Sequence, residues 1–516
     1  MAATEPGPGG PQALRKGQLP TCGASDRDRR ASAAMTAATG ARIVRGAAWS
    51  AAESWGRHLF SFAIVVVLAR QLDAEAFGLA ALAMVAPVIL GVLVINGIPE
   101  ALVQRSELEP IHLDSAFWLL VSVGLTASLL IWLMAAPMSW ALGEPRLAEL
   151  VRWTGAIVFL QSIGSVPSAV LRRHLEFRLF ALRTTIGTAT GGMLGIGLAL
   201  AGFGVWSLVF MQIARVSVES AILIGFGNWR PQLRFSLARC RDLSGFALPL
   251  VVQSLWNLIN DELPKVILGL FIGTQAVGIF AFARRPLEFL TQCFLGPVIS
   301  VTMPAVSRLQ GEPGRINDFF RMATLISALI GFPIFFGFAA VAPKAVPLVF
   351  GAQWEVAVRP VQLLMFLGLF RILDSLSGLS LLALGHSRLL LKMNVLYTGF
   401  VLLVVPPATQ LGVNAAVAGV VLCNLALLPI FFVLARRLAG IDAVAAMASF
   451  PRLTFSCLLM VAAIELFRQV APAGAPVPLL LTAEIALGAV TFAASALLLL
   501  RAELRLAVGA LRHLRG

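Results

Sequence analysis

The sequence predicts an all-α polytopic membrane protein, and three observations carry that prediction. Of 516 residues, 58% are hydrophobic and 13% charged, with a mean hydropathy of +0.87, whereas soluble domains carry roughly a quarter charged residues. Apolar runs of about 20 residues, the length that crosses the hydrocarbon of a bilayer as a helix, recur from Ala47 to Leu500. A stretch of the first half also returns in the second: "LARQLDAEAFGLAALA" (Leu68 to Ala83) is echoed by "LGLFIGTQAVGIFAFA" (Leu268 to Ala283).

About fourteen spans satisfy the length criterion. The first, over 47–69, stops at the polar break Arg70 to Asp73, and the second runs over 79–103. Spans over 115–136 and 151–171 flank the Gly143-Glu144-Pro145 turn; those over 180–201 and 204–227 flank Gly202 to Gly204. An arginine-rich connection then leads to spans over 245–272, 276–303, 319–341, 360–384, 389–407 and 414–435, with two more over 450–470 and 478–500. Prolines inside several runs, Pro249, Pro264 and Pro286 among them, are tolerated in membrane helices and favour bends.

The net charge of +14 is explained by topology rather than by nucleic acid. With the N-terminus in the cytoplasm, one side receives Arg172, Arg173, Arg178, Arg183, Arg230, Arg234, Arg239, Arg241, Arg388, Lys392, Arg436, Arg437 and the basic tail. The other receives little more than Arg70, Arg146, Lys344, Arg359 and Arg468. This is the positive-inside pattern, and it requires an even number of spans with both ends cytoplasmic. Residues 1–41 hold Pro, Gly and mixed charge without an apolar run and are expected to be a disordered tail; a start at Met35 would shorten it. The five cysteines are scattered without metal-ligand spacing, so neither a metal site nor a disulfide framework is expected.

The echo extends to "AAPMSWALGEPRLAELVRW" (Ala135 to Trp153) and "VAPKAVPLVFGAQWEVAVRP" (Val341 to Pro360) at nearly the same separation. The repeated unit is therefore about six helices long. Six is even, so both copies enter from the same side, an arrangement that places a site between two rocking halves. The expected organisation is a first six-helix bundle over 42–235, a second over 236–440, and two additional helices with a basic tail over 441–516.

The hairpin Leu68 to Gly78, "INGIPEALVQR" (Ile95 to Arg105), "VPSAVLRRHLEFR" (Val166 to Arg178) and "VGIFAFARRPLEF" (Val277 to Phe289) resemble the Wzx-type polysaccharide flippases. These belong to the multidrug/oligosaccharidyl-lipid/polysaccharide superfamily, and the resemblance is to the branch associated with colanic-acid-type and other exopolysaccharide export. It covers about residues 42 to 440. It implies a V-shaped bundle that moves undecaprenyl-pyrophosphate-linked oligosaccharide across the bacterial inner membrane, for exopolysaccharide or O-antigen biosynthesis, without a cofactor. It also leaves room for a polysaccharide polymerase and a chain-length regulator as partners.

Charges inside spans cost roughly 2.5–3.5 kcal/mol each on the insertion scale, and here they fall at helical spacing. Glu53 and Arg57, Arg215 and Glu219, Asp261 and Lys265, and Arg284 and Glu288 are four apart, and Arg371 and Asp374 three apart, so each pair shares a helix face. Arg285 leaves the eighth helix with an unbalanced charge. A lipid pyrophosphate must leave water, and guanidinium groups suit phosphate oxygens. The expected headgroup contacts are therefore Arg57, Arg284 and Arg285, with Lys265 next, in a cavity between the halves. Glu53, Glu100, Asp261 and Asp374 are the candidates for ion coupling. The glycines of "GTATGGMLGIGLALAGFG" (Gly187 to Gly204) lie in an apolar span without a preceding strand and read as helix-packing positions, not a nucleotide loop.

The alternatives are a cation-coupled drug or metabolite exporter of the same superfamily and a membrane polysaccharide polymerase. Arginines in the cavity disfavour cationic drugs. The short loops, without clustered acids or histidines, disfavour an enzyme.

Overall fold

The computed structural model describes residue 56 and residues 58–105, 107–227, 229–296, 302, 313–383, 387–439, 442–472 and 475–506. The N-terminal tail, Glu53 and Arg57 lie outside the described residues. All regular elements among the described residues are helical. They begin with α1 (His58–Gln71) and a broken rod of α2 (Ala74–Ala83), α3 (Val85–Ile95) and α4 (Ile98–Gln104). Then come α5 (Pro110–Leu142), α6 (Pro145–Arg173), α7 (Phe177–Leu200) and α8 (Trp206–Phe226). The second half holds α9 (Leu237–Phe271), α10 (Thr274–Phe294), α11 (Pro313–Phe350), a 3-10 turn (Ala352–Ala357), α12 (Val358–Ala383), α13 (Ser387–Thr409) and α14 (Val413–Ala439). A short α15 (Ala443–Ala446) precedes α16 (Phe450–Val470) and α17 (Val477–Leu499).

Where they are described, the expected spans lie on helical segments, the first from His58 onward, and nine helices among the described residues are long and apolar enough to cross a membrane. Several helices outrun their expected spans. α5 holds 33 residues and α11 holds 38, which at 1.5 Å per residue is about 50 Å or more, beyond the roughly 30 Å of hydrocarbon. The breaks expected after Ala135 and Pro343 are therefore largely helix: α5 ends at Gly143 (φ 64°) and α11 at Gly351 (φ 110°). Both glycines of the second echo thus terminate a helix in a conformation that other residues adopt with strain.

The first echo brings its two copies together. α2 packs against α10, and the contact is reciprocal. A Cβ on Gly78 would collide with the backbone carbonyl of Thr274, and one on Gly278 with that of Ala74; each would also lie 2.9 Å from the other glycine's nitrogen. Residues two hundred apart in the chain therefore occupy matching places across one crossing. Only hydrogen at both α-carbons lets the backbones approach so closely. Beside the crossing, Phe77 and Phe282 both pack on the buried Trp354, the latter stacked at 3.7 Å. The Trp354 indole donates to Ala69 O at 2.8 Å, and Arg70 donates to Val349 O and Leu348 O at 2.8 and 2.7 Å.

The other end of the halves is joined as well. The segment before α9 crosses α5, where Trp118 donates to Gln232 O at 2.8 Å and Gln232 N donates to Asp114 at 3.1 Å. Arg239 pairs with Glu109 at 2.9 Å. In the first half, the glycines of α7 pack on α8: a Cβ at Gly191 would lie 2.6 Å from Met211 O and one at Gly195 2.9 Å from Met211 Cβ, the packing role that their spacing predicted.

The last two helices, expected outside the repeated unit, are fastened to it. α16 and α17 pack on α11, and Glu484 of α17, fully buried, receives Lys344 of α11 and Arg468 of α16. Arg468 reaches Glu484 at 2.9 Å and donates to Ala340 O at 2.7 Å. Removing one member of a buried ion cluster leaves the others uncompensated, at a cost of about 3–5 kcal/mol. Glu484→Ala is thus expected to lower the unfolding temperature in detergent clearly. Methionine at Glu484, Lys344 and Arg468 together should recover most of the loss. Wild-type melting of Glu484→Ala would exclude the cluster as a fastening.

Candidate functional site

A cavity of about 430 Å³ lies among helices of the second half of the chain, walled by α9, α10, α12, α13 and α14. This differs from the expected placement between the halves. The physical reason is the glycine-mediated contact of α2 with α10 and the packing of α3, α4 and α5 on α9, which bring the halves together. A smaller cavity, about 270 Å³, touches both halves and lies between α3, α6, α8 and Leu258 of α9, with Gln161 and Arg215 on its wall. Arg215 lies 3.9 Å from Glu219, as the spacing predicted.

α9, α10 and α12 are absent from the nine helices that pass the apolar-span criterion among the described residues. They carry Asp261, Arg284, Glu288 and Arg371, which line the cavity. Arg284 is the least exposed of these. Its Nη1 donates to Asp261 O at 2.9 Å, its Nη2 lies 3.4 Å from Asp261 Oδ1, and its Nε lies 3.3 Å from Glu288 Oε1. Arg371 of α12 approaches the same Asp261 oxygen at 3.9 Å. Two cations and two carboxylates thus balance among the described lining residues. A guanidinium held between carboxylates stays charged and keeps its planar fork set for another anion.

A neutral, polar wall adjoins these charges. Asn257 and Asn260 of α9, Asn394 and Tyr397 of α13 and Asn424 of α14 line it. Asn394 Nδ2 donates to Asn257 Oδ1 at 2.5 Å, Asn260 Nδ2 donates to Asn394 O at 3.0 Å, and Asn424 Nδ2 donates to the Tyr397 hydroxyl at 3.2 Å. Behind them Trp256 donates to Thr398, which donates to Asn260 Oδ1 at 2.5 Å. Amides tied by such a chain, with Asn260 buried at its base, keep their orientation.

The expected site residues divide. Arg284 and Asp261 come together in the cavity. Arg285 is half-exposed, 50% against 17% for Arg284, and is not among the described lining residues. It shares a carboxylate: Glu288, one turn on, lies 3.4 Å from it and 3.3 Å from Arg284, so α10 carries two arginines to one glutamate. Lys265 stands apart with both Glu262 oxygens at 2.7 Å, so the spacing pair Asp261–Lys265 is replaced by Glu262–Lys265. Asp261 turns instead toward α10 and α12. Glu100 sits at the start of α4, paired with Arg172 at 2.5 Å. Asp374 falls on α12 with its side chain outside the described set, and Arg57 and Glu53 are outside the described residues. No group of three or more metal-ligating side chains occurs among the described residues.

Sequence reasoning passed over the amide wall. One signal was available: the chain has 33 phenylalanines and a single tyrosine, and that tyrosine, Tyr397, lines the cavity.

Helices around a charged and amide-rich cavity make a fold shared with solved polytopic membrane transporters. The fold matches the lipid II flippase MurJ in an inward closed conformation, with a TM-score of 0.69 at 12% identity over 87% of this chain and 98% of that one. It also matches an inward-facing multidrug resistance MATE family transporter, at 0.61 and 17% over 75% and 95%. Within that class the chain belongs to the polysaccharide biosynthesis protein family, whose model matches residues 67–359. Its relatives include the succinoglycan biosynthesis transport protein ExoT of Rhizobium meliloti (strain 1021), 30% identical over 63% of this chain and 66% of that protein. Another is the lipopolysaccharide biosynthesis protein WzxC of Escherichia coli (strain K12), 28% identical over 74% and 77%.

Proposed function

We propose that the protein is a transporter, not an enzyme, that flips undecaprenyl-pyrophosphate-linked oligosaccharide from the cytoplasmic to the periplasmic leaflet of the bacterial inner membrane. The observation that carries this reading is the cavity around Arg284 and Arg371, which offers guanidinium groups beside a neutral hydrogen-bonding wall within an otherwise apolar bundle. A lipid-linked glycan has the complementary parts: a polyanionic pyrophosphate, uncharged sugars, and a tail that remains in the bilayer. When the pyrophosphate enters, its oxygens replace Asp261 and Glu288 as partners of the arginines, so the charge leaves water without losing its hydrogen bonds. The volume of about 430 Å³ suits a headgroup and its first sugars, within the roughly 300–1,000 Å³ of ordinary ligand sites. Fourteen crossings, both termini cytoplasmic, and alternating access by the bundles 42–235 and 236–440 complete the proposal. Asp261, the carboxylate that Arg284 and Arg371 share, is the proposed coupling group; Asp374 and Glu53 remain further candidates, and a polymerase and a chain-length regulator are the proposed partners.

Deleting the gene in its host tests the reading. Extracellular polysaccharide should disappear while the lipid-linked repeat unit accumulates on the cytoplasmic leaflet. Intact polysaccharide with altered drug tolerance would instead support a small-molecule exporter.

A further inference from the structure

The geometry points to the amide wall of the cavity as a separate sugar subsite, specific for an uncharged, hydroxyl-rich residue next to the pyrophosphate. This inference rests on the flippase reading and assigns a role to residues that the arginines do not explain.

The wall combines spare donors with spare acceptors and carries no charge. Asn257 uses its carboxamide oxygen to accept from Asn394, and its N–H groups meet no acceptor among the described residues. Asn424 spends its N–H groups on Tyr397 and on Val420 O at 2.8 Å, leaving its side-chain oxygen to accept. The Tyr397 hydroxyl accepts from Asn424 and retains its own proton to donate. A sugar hydroxyl both donates and accepts, so an alternating display of this kind matches it. The wall itself supplies neither cation nor carboxylate, and the charges that border it, Asp261 and Arg284, are paired with each other.

The surrounding surface fits the same ligand. Phe280, Phe370 and Phe431 line the cavity together with the Tyr397 ring, and aromatic faces, negative in their quadrupole, favour the C–H faces of a pyranose. Asn260 and Thr398, bound at 2.5 Å, hold α9 to α13, so the amides need little ordering when a ligand arrives. Preorganised polar groups discriminate strongly, because a ligand lacking the matching hydroxyl leaves them unpaired.

The test measures binding of two short-chain polyprenyl pyrophosphates to the full-length protein in detergent, one bearing a neutral disaccharide and one bearing no sugar. Wild type should bind the glycosylated lipid about tenfold or more tightly. Asn257→Ala with Asn394→Ala should abolish that preference and leave the bare lipid unchanged. Tyr397→Phe, which removes one hydroxyl and no packing, should reduce the preference about threefold. Arg284→Ala should weaken both lipids alike. Equal wild-type affinities, or wall variants that weaken both lipids equally, would overturn the subsite while leaving the flippase reading standing. Failure of wild type to bind either lipid would remove both.

Discussion

Arg284→Ala is expected to reduce transport of a lipid-linked oligosaccharide about a hundredfold or more, the largest loss of any single cavity substitution. Arg284 is the cation enclosed on both sides, by Asp261 at 2.9 Å through its backbone oxygen and by Glu288 at 3.3 Å. Its removal deletes charge-assisted donors and leaves both carboxylates facing an incoming pyrophosphate, with Arg371 as the remaining described cation. Losing one partner of such a set costs about 3 kcal/mol or more, which is about two decades in rate or affinity. Arg284→Lys should be intermediate, since an ammonium keeps the charge but not the fork. Arg285→Ala should change the rate less than about fivefold, because that side chain is half-exposed and outside the described lining. Initial flipping rates in proteoliposomes decide between these outcomes; an Arg284→Ala rate within twofold of wild type would remove the arginine from the mechanism.

The second large effect concerns stability. Gly78→Ala or Gly278→Ala should each lower stability by about 3 kcal/mol or more, well above the usual overpacking cost, because the new methyl meets backbone rather than a movable side chain. The two glycines share one crossing, so the double variant should cost clearly less than the sum of the single ones. Thermal unfolding in detergent measures both quantities. Additive losses would mean that the glycines act at separate places.

The class of fold was legible because hydropathy and helix length are local properties: the described parts of the expected spans are helical. The echo pointed to the right residues, since Gly78 and Gly278 meet. Pair partners were less legible. Spacing of four joins Arg284 to Glu288 correctly, but it cannot tell whether Asp261 or Glu262 turns toward Lys265. That depends on which face of α9 meets α10 and α12, a tertiary fact. The cavity's location was illegible for the same reason, because the closing of the halves depends on a glycine contact two hundred residues apart. Asn394 and Asn424 gave no signal along the chain, as a lone asparagine in a membrane helix reads equally as helix packing. The buried Glu484 escaped notice because its partners, Lys344 and Arg468, are 140 and 16 residues away.

The central claim is that this chain moves a lipid-linked oligosaccharide through the cavity that Arg284 lines. The most direct measurement reconstitutes the full-length wild-type protein in liposomes with a labelled polyprenyl-pyrophosphate oligosaccharide and follows its transfer between leaflets. Transfer well above protein-free liposomes, falling to that background with Arg284→Ala in a variant that still melts cooperatively, is the predicted result. Background transfer by wild type across several neutral glycans, with proton and sodium gradients applied in turn, would contradict the account.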